Sequence, residues 1–137
     1  MLNNKYVFLF CIFLFLTCCK TSENSSNPQF EISFGSGGGF TGKYIVYKLN
    51  SNGDLNKTSE NEILFIKKVE PSKIKLILDE IKKENLLDYK FNVPGNLNKF
   101  IEIKVGKETT KILWSNSTKI PKESVISIFD KLNSLIK

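Results

Sequence analysis

The sequence predicts an α+β domain of two layers, an antiparallel sheet covered by two helices. The prediction rests on periodicity and on element order. Phe30 to Phe34 alternates apolar and polar residues as a half-buried strand does, four further apolar segments bounded by turns read as strands, and two others carry apolar residues at helical spacing. Runs of adjacent strands joined by short turns favour antiparallel pairing, and one-sided helices need a sheet face to cover. The expected order is β-β-β-α-β-β-α, within a single domain over residues 29–137.

Phe30-Glu-Ile-Ser-Phe34 opens the sheet by strict alternation. The run from Gly35 to Gly42 reads as a flexible, glycine-rich loop, where positive φ and close backbone approach are tolerated. Lys43 to Leu49 is the second strand, closed by the turn Asn50-Ser-Asn-Gly-Asp54, since Asn-Gly accepts positive φ. A polar loop leads to a third strand, Glu62 to Val69.

Pro71 suits a first helical turn, and Ile74, Ile77, Leu78 and Ile81 form one apolar stripe, so a helix is expected from 71 to about Asn85. Leu86 and Leu87 then fold back on the core, and Val93-Pro-Gly-Asn96 breaks the chain. Lys99 to Val105 and Glu108 to Trp114 form a hairpin about Gly106-Lys107, with Ile101, Ile103 and Val105 on one face. Trp114 is expected in the core because Ile112 shares its face. Pro121 opens the last helix, where Val125, Ile128, Phe129, Leu132 and Leu135 repeat.

Charge narrows the range of partners. The chain carries +6 and no His, and all its positive side chains are Lys. Bidentate recognition of bases and phosphates relies on Arg, and these lysines are dispersed among acids, so no nucleic-acid partner is expected. Without His, hydrolysis would need a Ser-Lys pair, a carboxylate pair or an oxygen-held metal, and no such constellation is visible.

Two motifs invite a cofactor reading. Gly37 to Lys43 fits the start of a phosphate-binding loop, but Tyr44 stands where Ser or Thr must hold magnesium, and a strand follows where a helix is required. Asn50 to Asn56 places side-chain oxygens at alternate positions but lacks the distal Glu of a calcium loop. Neither a metal nor a cofactor is expected. Phe40 and Thr41, at the tip of the glycine segment, are the candidate partner-contact residues.

Residues 5–19 point to export. One Lys precedes an apolar run from Tyr6 to Leu16, too short for the roughly 20 residues of a spanning helix. Leu16-Thr17-Cys18-Cys19 resembles the lipobox of bacterial lipoproteins. The resemblance implies a leader over 1–18 and acylation of Cys19, with Cys18 the alternative acceptor. Lys20 to Pro28 is then a polar tether reaching roughly 30 Å when extended. The three cysteines all lie at or before position 19, so the body has none for disulfides.

Element order, glycine segment and export signal together resemble small uncharacterised lipoprotein domains of Bacteroidetes-type bacteria, over about residues 30–136. Phe34-Gly35 and Tyr44 echo a Cys-Phe-Gly-x-Cys-Pro motif ahead of a Tyr-initiated strand; its cysteines and proline are absent here. The resemblance implies the fold. By resemblance to lipoprotein sorting rules, Lys20 after the acceptor implies the outer membrane, facing periplasm or exterior. The expectation is a membrane-anchored envelope lipoprotein with a non-enzymatic binding or structural domain, its partner a protein or a glycan. Alternatives are an inhibitor of an extracellular hydrolase and a hydrolytic enzyme without His.

Overall fold

The computed structural model describes residues 29–59, 62–115 and 119–137, so the leader, the tether, Cys18 and Cys19 lie outside the described residues. The alternation from Phe30 onward has the expected effect. Strand β1 (Phe30–Gly38) buries Phe30, Ile32 and Phe34 toward the helices. Strands β2 (Lys43–Asn50), β3 (Asp54–Ser59) and β4 (Glu62–Lys68) continue from it as an antiparallel meander. After helix α1 (Pro71–Lys83) come β5 (Asn92–Val93), β6 (Leu97–Val105), β7 (Glu108–Ser115) and helix α2 (Glu123–Ser134). The seven strands lie in the order β4-β3-β2-β1-β6-β7-β5, which puts β1 at the centre.

The domain is α+β, and its strand list departs from the expected one in particular places. Residues 54–59 form β3 rather than a polar loop. Leu55 is its sole apolar side chain, and the segment is held by backbone pairing to β2 on one side and β4 on the other. Asn92 and Val93 add parallel to β7, opposite Leu113 and Trp114, so the sheet is mixed rather than wholly antiparallel. Pro94, which has no N–H to donate, follows at once and β5 stops there.

Helix α1 buries Ile74, Ile77 and Ile81. It stops because Asn85 takes a left-handed conformation, φ 50°. The Asn85 N–H then bonds the Lys82 carbonyl at 3.0 Å and the Leu86 N–H bonds that of Ile81 at 3.0 Å, the two-bond cap of a helix C-terminus. That turn delivers Leu86, fully buried, to the core as expected.

Helix α2 begins at Glu123, two residues past the expected Pro121. Lys122 is still extended: its N–H donates to Tyr89 Oη at 3.3 Å and its Nζ to the Glu84 carbonyl at 2.5 Å. The start of α2 is thereby tied to the end of α1. Trp114 is buried, with Phe129 of α2 edge-on to its ring at 5.1 Å.

Among the described residues the opposite face of the sheet carries no helix. There Lys48 lies 3.7 Å from Glu31, and Lys111 lies 3.7 Å from Glu102. Such partly exposed pairs stabilise little. Stability therefore resides in the single layer between sheet and helices. Phe34, fully buried on the central strand, is its test: Phe34→Ala should cost about 3–5 kcal/mol in urea denaturation. A loss below about 1 kcal/mol, the scale of an ordinary surface change, would contradict this packing.

Candidate functional site

The glycine segment is not the loop expected from its composition. Gly35 to Gly38 are the last residues of β1, paired on both sides: Gly35 faces Val46 and Phe100, and Gly37 faces Tyr44 and Asn98. A Cβ on Gly35 would sit 2.0 Å from the Ile45 carbonyl oxygen, and one on Gly37 would sit 2.2 Å from that of Lys43. Glycine is required here because another backbone occupies the place of a side chain. The rings of Tyr44 and Phe100, 6.0 Å apart and edge to face, flank the bare positions on the helix-free side.

What remains of the loop is one turn of 3-10 helix, Gly39–Thr41, closed by Gly42. The Gly42 N–H bonds the Gly39 carbonyl at 3.2 Å, and the Lys43 N–H donates to Thr41 Oγ1 at 3.4 Å. Thr41 thus serves the turn itself. Phe40 is fully exposed at its apex.

The tip is braced from the neighbouring loop. The Gly39 N–H donates to the Asn96 carbonyl at 2.6 Å. Asn98 is buried: its Oδ1 accepts from the Gly95 N–H at 2.7 Å, and its Nδ2 donates to the Gly95 carbonyl and to Tyr44 Oη, both at 3.1 Å. One amide side chain therefore ties the 94–96 loop to β2. Beside the tip, Leu97 and Ile45 are more than half exposed, at 66% and 51%.

A shallow cavity of about 450 Å³ lies between them, lined by Ser36, Gly37, Ile45, Leu97 and Lys99 among others. Ser36 and Lys99 are opposite each other in the register, which is where a Ser-Lys pair could form. Lys99 Nζ is instead 5.9 Å from the Phe129 ring centre, against α2, and no Ser36–Lys99 hydrogen bond occurs among the described residues. The arrangement suits contact through apolar side chains, with Lys43 and Lys99 at its border.

The other sequence motifs take structural roles. Lys43 and Tyr44 open β2, so a strand and not a helix follows the phosphate-loop-like stretch. In the calcium-loop-like stretch, Asn50 Oδ1 accepts the N–H groups of Asn52 and Asp54 at 3.0 Å each, and Asp54 lies 4.0 Å from Lys68. Among the described residues no group of three or more His, Cys, Asp or Glu side chains could hold a metal ion. A second cavity, about 620 Å³, opens at the opposite end of the sheet between Phe30, Val69, Ile74 and Leu78.

Phe40 and Thr41, singled out from the sequence, stand at the tip; Ile45, Leu97 and Asn98, which surround it, were not singled out. The only signal for Leu97 and Asn98 was their place just ahead of a strand.

Gly35→Ala should cost at least about 2 kcal/mol in chemical denaturation, because backbone must move to admit the Cβ. Gly106→Ala, at φ 59° with nothing within 4 Å of its Cβ, should cost about 1 kcal/mol from conformation alone. Equal costs would mean that Gly35 is not enclosed. No protein-family model matches the chain and no curated protein is significantly similar to it, so the chemistry of this end has to be read from its own residues.

Proposed function

We propose that the chain is a membrane-anchored envelope lipoprotein, acylated at Cys19, whose domain is a non-enzymatic binding module. It meets a protein or glycan through the braced tip at Phe40. The single observation that supports this is where the tip stands. The N-terminal segment joins β1 at Phe30, and the tip follows Gly38 at the other end of the strand. Nine residues at about 3.3 Å each separate the two ends by roughly 30 Å, so an anchor at one end leaves the other unobstructed.

Bracing matters energetically. A turn held by the Asn96 and Thr41 bonds has little left to order when a partner docks, and ordering is a main cost of association. An exposed aromatic ring on such a frame is the residue type that dominates contact energies. The same projecting tip favours a second reading, insertion into the cleft of an extracellular hydrolase. Loss of protease or lysozyme activity on adding the purified domain is its test.

The leading reading predicts that the acylated chain captures a partner from envelope extract. The Phe40→Ala, Thr41→Ala variant should capture at least about tenfold less, on the scale of one contact hot spot. Mass spectrometry of the processed chain should find fatty chains on Cys19. Equal capture by both forms would remove the tip as the contact, and an unmodified cysteine would remove the anchor.

A further inference from the structure

We propose that β4 is a self-association edge, along which two copies of this chain pair antiparallel about Leu64 and merge their sheets. Among the described strands β4 ends the sheet, so one row of its backbone N–H and C=O groups has no neighbouring strand. Sheets guard such edges with charges, prolines and bulges. In β4 the charges are confined to the ends, at Glu62, Lys67 and Lys68, and the irregularity falls near Ile66, where Leu55 and Asn56 face Lys67 and Phe65. Between them Ile63, Leu64 and Phe65 are exposed at 74%, 60% and 57%. The opposite edge is different: β5 has two residues and is cut off by Pro94.

The partner is identified by β4 itself. An acid at one end, lysines at the other and apolar residues between are complemented by the same strand running the other way. Side-chain direction then limits the register. Leu64 faces Lys57, which faces Tyr47, which faces Phe34, so Leu64 points to the helix side. Ile63 and Phe65, level with Thr58 and Asn56, point to the other side.

Opposed residues of an antiparallel pair share a face. Of the pairings this permits, the one centred on Leu64 sets Leu64 against its own copy and Ile63 against Phe65, so that all three exposed side chains are covered. It also brings Glu62 against Ile66 and beside Lys67, opposite charge to opposite charge, at both ends. The two N-terminal segments leave such a pair from opposite ends.

The described core is drawn entirely from residues 30–135, so a chain beginning at Gln29 keeps all of it and is the form to test. In sedimentation equilibrium it should shift from monomer to twice that mass with rising concentration. Leu64→Lys should move the midpoint at least about tenfold higher while leaving the urea midpoint in place. Under mild oxidation Leu64→Cys should form a covalent dimer, and Ile63→Cys should cross-link when mixed with Phe65→Cys. Lys107→Cys, at an exposed turn, serves as the control for random collision. A monomer at millimolar concentration, an unshifted midpoint for Leu64→Lys, or no more cross-linking at Leu64→Cys than at the control would each overturn the proposal.

Discussion

Backbone packed against backbone at the centre of the sheet is the constraint on which the other features depend. Strand β1 has β2 on one side and β6 on the other. Its first half supplies Phe30, Ile32 and Phe34 to the core, and its second half supplies almost nothing but main chain. Because Gly35 and Gly37 lack side chains, the carbonyls of Ile45 and Lys43 lie where a Cβ would be. That close approach carries the β1–β2 hairpin to its tip.

The two ends of the molecule differ as a result. Near Phe30 the sheet is flanked by the start of α1 and by the Asn50 turn, whose polar groups are occupied by one another, with the cavity of about 620 Å³ between them. Toward Gly38 several large apolar side chains stand at the surface. Ile63, Leu64, Phe65, Ile45 and Leu97 all lie level with Ser33 or farther toward the tip, and all are exposed. Scattered exposed apolar residues are ordinary, and the placing of these five in one half of the sheet is what sets the two ends apart. Both the tip reading and the β4 pairing grow from this one asymmetry, through different residues.

Much of the fold was legible because its core elements follow a strict period. Ile74, Ile77 and Ile81 declare a helix, and Ile101 with Ile103 declares a strand, independently of context. Strand β3 was not legible: Asp54 to Ser59 carries a single core side chain and is a strand because two neighbours pair with it, which is tertiary information. Composition misled at Gly35 to Gly38, where glycine reads as freedom and is in fact crowding. For the site, exposure of Phe40 followed from its place between glycines. The brace through Asn98 could not be foreseen, since it joins residues 54 positions apart.

The account turns on whether the glycine run is the interior of a sheet. Amide hydrogen exchange at residue resolution measures that directly, because interior ladder amides open only with large-scale unfolding whereas loop amides exchange freely. The amides of Ser36 and Gly37 should be protected to within about tenfold of the better-protected of Ile32 and Phe34, with those of Phe40 and Thr41 far faster. If Gly35 to Gly38 exchange as fast as Phe40, the run is a loop after all, and the rigid tip, with the function read from it, does not exist.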